Sequence, residues 1–272
     1  MEAILLAGGL GTRLRSVVSD RPKPMALIEG RPFMEYVVRG LARHGIADII
    51  FAVGYKGSMV EEHFRDGSNL GIRASYAYEE ELLGTAGAIK NAGRFVTEER
   101  FFVLNADTYY SLDYSRLAKL QAEKSLDMAL VLREVDDISR YGAATLTDGM
   151  LTGFNEKLEG EKRPGTINGG VYLMDRRLLK EIPEGKVSLE QEMIPRWMKE
   201  GKRLGGFVNE GYFYRHRNPG GLFQVPGGRK ERSRFMGNSR ESAPSRQLRR
   251  RRNGCRALLR RAGGSHYREH HQ

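Results

Sequence analysis

Within its 272 residues the chain carries 45 Lys+Arg against 34 Asp+Glu, a formal net charge of +11, with 40% hydrophobic and 29% charged residues. That is length for one large or two small domains with a full core, and a composition that excludes a collagen or a disulfide scaffold. The single Cys excludes an internal disulfide framework and any Cys-built zinc site, and no apolar run approaches the ~20 residues that span a bilayer.

Met1-Glu2-Ala3-Ile4-Leu5-Leu6 lacks a basic leader and meets Gly8-Gly9 too soon for a signal peptide, so a cytoplasmic location is expected. Ala3–Ala7 reads as a buried strand, followed by a Gly- and Pro-rich loop, Gly8–Pro24. Phe33, Tyr36, Val37 and Leu41 recur at helical spacing and predict a helix over Phe33–His44. Ile49–Val53 is the next strand, Met59–Phe64 a helix, Arg73–Tyr78 a strand and Gly84–Ala92 a helix. Phe101–Asn105 is a short apolar strand that runs into Asp107. This alternation predicts an α/β protein with a Rossmann-like, doubly wound, mixed but mostly parallel sheet. Met128–Arg133, Ala143–Leu146 and Gly169–Met174 read as strands of a mixed region, and Leu189–Met198 as a helix.

After Phe213 the alternation stops. Residues 214–272 hold 16 Lys+Arg and 3 Asp+Glu, a net of +13, which leaves 1–213 at −2. The basic excess therefore belongs to the tail and carries no information about a ligand of the body. Such a Gly-, Arg- and Ser-rich stretch buries too little apolar surface to offset chain entropy and is expected to be disordered. Its Arg246-Gln247-Leu248-Arg249-Arg250-Arg251-Arg252 run lacks an aromatic platform, so salt-sensitive, nonspecific contact with nucleic acid is the most it supports.

Gly8-Gly9-Leu10-Gly11-Thr12-Arg13-Leu14 directly follows the first strand. Glycines there let backbone N–H groups approach a ligand, and such loops favour anions. The loop is neither a P-loop nor a complete G-x-G-x-x-G, and alone it is equally a tight turn. Arg13 and the Pro22-Lys23-Pro24 turn add two cations, which suits a triphosphate. Asn105-Ala106-Asp107 places a carboxylate at the sheet's C-terminal edge, where Mg²⁺ is commonly held together with substrate phosphates; a turn-capping Asp is the bland alternative. Gly84-Thr85 opens a helix and is either a wall for a planar base or an ordinary cap. Glu156-Lys157 is a strand-end pair, otherwise a surface ion pair, and Asn168-Gly169-Gly170 is otherwise a strand bulge.

Together these segments resemble the sugar-1-phosphate nucleotidyltransferases over nearly all of residues 1–213, within that family most closely the D-glycero-α-D-manno-heptose 1-phosphate guanylyltransferases. The resemblance implies a glycosyltransferase-A-like nucleotidyltransferase fold. It also implies the reaction NTP + sugar 1-phosphate → NDP-sugar + pyrophosphate, with GTP as the expected nucleotide and Mg²⁺ as cofactor. By matching position, Gly8, Gly9, Gly11 and Thr12 would cradle the triphosphate, and Arg13 and Lys23 would act in catalysis by neutralising phosphate charge. Asp107 would hold the metal, Gly84 and Thr85 would border the base, and Glu156, Lys157, Asn168 and Gly169 would bind the sugar phosphate. A homo-oligomer is compatible with the family; a membrane or a specific nucleic acid is not expected as partner. Mannose-, glucose- or other hexose-1-phosphate nucleotidyltransferases remain open, as does a catalytically impaired nucleotide- or sugar-phosphate-binding protein.

The chain departs from the family in one place. A second metal aspartate is expected in a segment like Phe-Ile-Asp-Ile-Gly-x-Pro-Glu-Asp-Tyr, but Gly211-Tyr212-Phe213 is followed by Tyr214-Arg215-His216-Arg217-Asn218-Pro219. Removing one base at the start of codon 214 and reading out of phase permits Ile-Asp-Ile-Gly-Ile-Pro-Glu-Asp-Tyr over the next nine codons. Residues 1–213 are thus expected to be a nucleotidyltransferase domain without its C-terminal segment, and 214–272 a frameshifted tail.

Overall fold

The computed structural model describes residues 1–9, 21–139, 143–155 and 162–215; for Arg215 this means its backbone. In chain order its elements are β1 (Glu2–Leu6), β2 (Leu27–Ile28), β3 (Arg31–Pro32), α1 (Phe33–Arg43), β4 (Asp48–Val53), α2 (Gly57–Phe64), β5 (Arg73–Tyr78) and α3 (Gly84–Ala92). There follow β6 (Arg100–Asn105), β7 (Thr108–Tyr110), α4 (Tyr114–Glu123), β8 (Met128–Val135), β9 (Ala143–Thr147), β10 (Met150–Asn155) and β11 (Gly165–Asp175). A π-helical turn, Leu189–Met193, leads into α5 (Ile194–Lys199), β12 (Leu204–Val208) and β13 (Phe213–Arg215).

Nine strands form one sheet in the order β5-β4-β1-β6-β11-β8-β12-β10-β9. The first four strands are mutually parallel, as the βαβ reading requires. β11 then enters antiparallel between β6 and β8, and the rest is mixed, with only β12 beside β8 parallel.

Side chains of the central strands alternate between two cores. Ala3, Leu5, Phe102 and Leu104 face one core with α1, α2 and α4; Ile4, Phe101 and Val103 face the other with α3 and α5. A sheet apolar on both faces must be covered on both, and that is why β1 and β6 read as continuous apolar runs. The sole tryptophan, Trp197 on α5, is fully buried in the second core, and its indole N–H has no hydrogen-bond partner among the described residues.

The helix expected over Leu189–Met198 is interrupted. Its first five residues form a π turn, Met193 N–H reaching back to Ser188 C=O (3.1 Å), and the α-helix starts only at Ile194. α4 and β12 are not among the expected elements, and of β10 only the strand end before Glu156-Lys157 is. β12 is hidden by Gly205-Gly206, residue types depleted in strands, and both are required sterically. A Cβ on Gly205 would lie 2.5 Å from Gly149 O, and one on Gly206 would lie 2.1 Å from Leu130 O.

β13 pairs antiparallel with β7, Phe213 opposite Tyr110 and Arg215 opposite Thr108. Strand pairing therefore continues two residues past Phe213. Residues 216–272, with the expected disorder of the tail, lie outside the described residues.

Candidate active site

Because β1 and β6 run parallel with Leu6 opposite Asn105, whatever follows each strand emerges at the same edge of the sheet. Gly8-Gly9 follows one and Asp107 the other. A cleft of about 310 Å³ opens there, lined by Gly8, Gly9, Lys23, Glu79, Gly84, Thr85, Asn105 and Asp107 among others. Segments separated by up to a hundred residues in the chain thus share one wall-to-wall space.

Lys23 lies in a single 3₁₀ turn, Lys23–Met25, between two prolines. Met25 N–H bonds Pro22 C=O and Ala26 N–H bonds Lys23 C=O, which fixes the backbone under the ammonium. Lys23 Nζ donates to Asp107 Oδ2 at 2.5 Å, with under a fifth of either side chain exposed. Asp107 Oδ1 accepts from the Thr108 hydroxyl at 3.1 Å. A charge-assisted pair at the mouth of a cleft holds a cation and an acceptor poised for a ligand that brings its own charges.

Glu79 is a site residue that the sequence pattern did not single out. It follows β5, its N–H bonds Val53 C=O (2.8 Å), and its carboxylate lies against Gly8, where any Cβ would sit 2.0 Å from Oε1. Oε2 accepts from Leu83 N–H at 3.3 Å. Burial pushes the Glu79 carboxyl above the usual glutamate range, and the Leu83 N–H only partly offsets it. Only its place at the end of a strand beside the glycine loop distinguishes it from Glu80 and Glu81 in sequence.

Gly84 has φ +68° and a Cβ there would lie 2.5 Å from Val187 O, so its missing side chain lets the segment around Val187 dock on the first turn of α3. Ala86 and Gly87 N–H both donate to that same carbonyl. Thr85 is not a helix cap: the N-cap is Leu83 without a side-chain bond, and the Thr85 hydroxyl donates to Glu190 Oε2 at 2.6 Å. Gly84 and Thr85 nonetheless both line the cleft.

Asn168-Gly169-Gly170 does form a bulge: Asn168 pairs with Leu132, and the next paired residue, Tyr172, with Leu130. Gly169 has no room for a side chain, because a Cβ would lie 2.8 Å from both the Tyr110 ring and Val131 O. Gly170, at φ +72°, accommodates the Asn105 amide, 2.5 Å from where a Cβ would be. The bulge thus docks against the strand that leads to Asp107. Gly11, Thr12 and Arg13, and Glu156 and Lys157, lie outside the described residues.

Among the described residues no group of three His, Cys, Asp or Glu side chains is assembled for a metal. Asp107 is a ligand of the type that divalent cations take together with substrate phosphates, and Lys23 is the cation it holds in their place here. No described helix is long and apolar enough to cross a membrane.

Comparison with known proteins agrees with this architecture. The nucleotidyl transferase family model matches residues 2–215. The chain is 39% identical over 214 residues to D-glycero-alpha-D-manno-heptose 1-phosphate guanylyltransferase of Aneurinibacillus thermoaerophilus, covering 78% of this chain and 91% of that one. It is 33% identical over 216 residues to a mannose-1-phosphate guanylyltransferase of Mycobacterium tuberculosis, covering 78% of this chain and 60% of that one. The crystal structure of HddC from Yersinia pseudotuberculosis complexed with GMP-PN superposes with a TM-score of 0.70 at 33% identity, covering 80% of this chain and 94% of that chain.

Proposed function

Since the chain belongs to the nucleotidyl transferase family, we propose that it transfers a guanylyl group from GTP to D-glycero-D-manno-heptose 1-phosphate, releasing pyrophosphate. The carrying observation is the meeting of Gly8-Gly9, Lys23 and Asp107 in one cleft at the C-terminal edge of the parallel strands. The sugar-phosphate oxygen attacks the α-phosphorus in line and pyrophosphate leaves, a displacement that needs positioning and charge neutralisation but no covalent nucleophile. Gly8, Gly9, Gly11 and Thr12 cradle the triphosphate. Arg13 and Lys23 neutralise it and the departing pyrophosphate. Asp107 holds Mg²⁺, which when bound neutralises phosphate charge. Glu156, Lys157, Asn168 and Gly169 hold the sugar phosphate, and Gly84 and Thr85 border the base.

Glu79 supports guanine as that base. An ionised carboxylate is acceptor-only and best matches an edge with two adjacent donors, which guanine offers at N1–H and N2–H₂. Adenine, uracil and cytosine offer no such pair.

The register of β13 supports the frameshift reading. It sets position 215 opposite Thr108, the neighbour of Asp107 in the chain, and this chain has Arg215 there. The chain as written is therefore proposed to be weakly active or inactive, its second metal carboxylate replaced by a cation.

Pyrophosphate release settles both points. With one base deleted at codon 214, release should require Mg²⁺, GTP and the heptose 1-phosphate, and exceed that of the written chain at least tenfold. Preference for UTP or for a hexose 1-phosphate in the repaired chain would refute the substrate assignment. Equal rates in the two chains would refute the account of position 215.

A further inference from the structure

Four side chains make a one-way series of hydrogen bonds from Thr85, in the wall of the cleft, to Asn168 in the bulge of β11. In that wall Thr85 Oγ1 accepts from Leu189 N–H (2.7 Å) and donates to Glu190 Oε2 (2.6 Å). At the far end of the series, Asn168 Oδ1 accepts from Gly170 N–H (3.0 Å) and Asn168 Nδ2 donates to Tyr172 OH (2.6 Å). Tyr172 closes the series by donating to Glu190 Oε1 at 3.0 Å. Both arms converge on the Glu190 carboxylate, which can only accept, so every hydroxyl and the Asn168 amide have one orientation.

The local backbone is shaped for this. Glu190 stands in the π turn Leu189–Met193, and single π turns recur where a helix has been altered to place a functional group. The Tyr172 ring is fully buried, so its hydroxyl cannot follow Asn168 by moving outwards.

We propose that Glu190 is a positioning residue that ties the base side of the cleft, through Thr85, to the sugar side, through Tyr172 and Asn168, so that nucleotide and sugar 1-phosphate bind cooperatively. This rests on the function proposed above. A ligand that orders the first turn of α3 fixes Thr85, and through Glu190 and Tyr172 it holds Asn168 in the orientation the second ligand meets. The second ligand then binds to a site already ordered, and by linkage each favours the other equally. With the Tyr172 oxygen removed, the Asn168 amide loses its tie to Glu190, and the two ends of the series order independently.

The test is calorimetric titration of the full chain with guanosine 5′-(α,β-methylene)triphosphate and Mg²⁺, with and without saturating D-glycero-D-manno-heptose 1-phosphate. The parent should bind the analogue roughly tenfold more tightly when the sugar phosphate is present. Tyr172→Phe keeps the buried ring and should bring that ratio to within about twofold of unity, with each ligand alone bound within about threefold of parental affinity. Glu190→Ala should do the same, and Glu190→Gln, whose amide can still meet Thr85 and Tyr172, should retain part of the coupling. The proposal is overturned if the parent binds both ligands without coupling, or if Tyr172→Phe keeps the tenfold ratio. It is also overturned if the variants lose single-ligand affinity in step with coupling, the mark of a merely structural role. A parent that binds no nucleotide at all would overturn the guanylyltransferase reading itself, and this inference with it.

Discussion

Lys23 and Asp107 satisfy each other's charge at 2.5 Å, so neither is idle before substrate arrives. Removing either deprives the other of this charge-assisted bond in a part-buried cleft. In the frame-restored chain Asp107→Asn keeps the shape and removes the charge; kcat/KM for GTP should fall by about 100-fold, with apparent Mg²⁺ affinity lowered and the melting temperature shifted by only about 2 °C. Steady-state pyrophosphate release over a Mg²⁺ series reads the first two effects. Unfolding of the variant would instead assign Asp107 a capping role. Glu79 has a different signature. Its carboxyl is raised by burial, so its stabilising contribution is complete below the ordinary glutamate range and is lost as pH rises through the raised value. Glu79→Gln should therefore raise the melting temperature at pH 7 by about 2–4 °C, with the gain vanishing towards pH 4. The same variant should lose at least about tenfold in preference for GTP over other triphosphates, because an amide offers guanine one acceptor and one misplaced donor. Stability gained and selectivity lost in one substitution is the pattern expected of a group held for function.

Two elements show the same logic one level up. The first turn of α3 accepts the Val187 segment only because Gly84 has no side chain and takes a positive φ. Gly84→Ala should cost about 1–3 kcal/mol by denaturant unfolding, and should weaken nucleotide binding more than the stability loss explains, since the same turn lines the cleft. On the opposite face, Glu35 of α1 is buried between Arg39 (2.8 Å) and His63 of α2 (2.9 Å). Burial alone would raise its carboxyl, but hydrogen bonds from Arg39 and His63 outweigh this and hold it below the usual range. The pair's stabilisation is thus present above that range and lost as pH falls through the lowered value. Glu35→Gln should destabilise the protein by about 1–3 kcal/mol at pH 7 and by much less at pH 3. An equal loss at both values would remove the charge from the account. The elements differ in how openly the sequence announces them. α1 displays its apolar face at regular spacing, and Asp113, whose carboxylate accepts from Ser115 N–H, is a start signal for α4 that an attentive reading would find. The glycines of β12 disguise a strand, because only its neighbours' carbonyls explain them.

For the molecule as a whole, the parallel half was legible because βαβ alternation is a local pattern. The antiparallel half was legible as strands of a mixed region but not in its order, since the insertion of β11 between β6 and β8 depends on pairings some seventy and forty residues apart in the chain. The site divides similarly. Gly8-Gly9, Lys23 and Asp107 sit in recognisable motifs, whereas Glu79, Tyr172 and Glu190 have no motif and become visible only when their neighbours in space are known. Trp197 turns this into something measurable from outside. As the only indole in the chain, enclosed among apolar groups of the second core, it is a built-in optical reporter. Excited near 295 nm, it should emit at short wavelength when α5 is seated against the sheet, and shift towards the emission of free tryptophan in water when that core opens. Recording this spectrum for the written and the frame-restored chains would separate a body that never closes from one that closes but lacks a carboxylate, before any substrate is added.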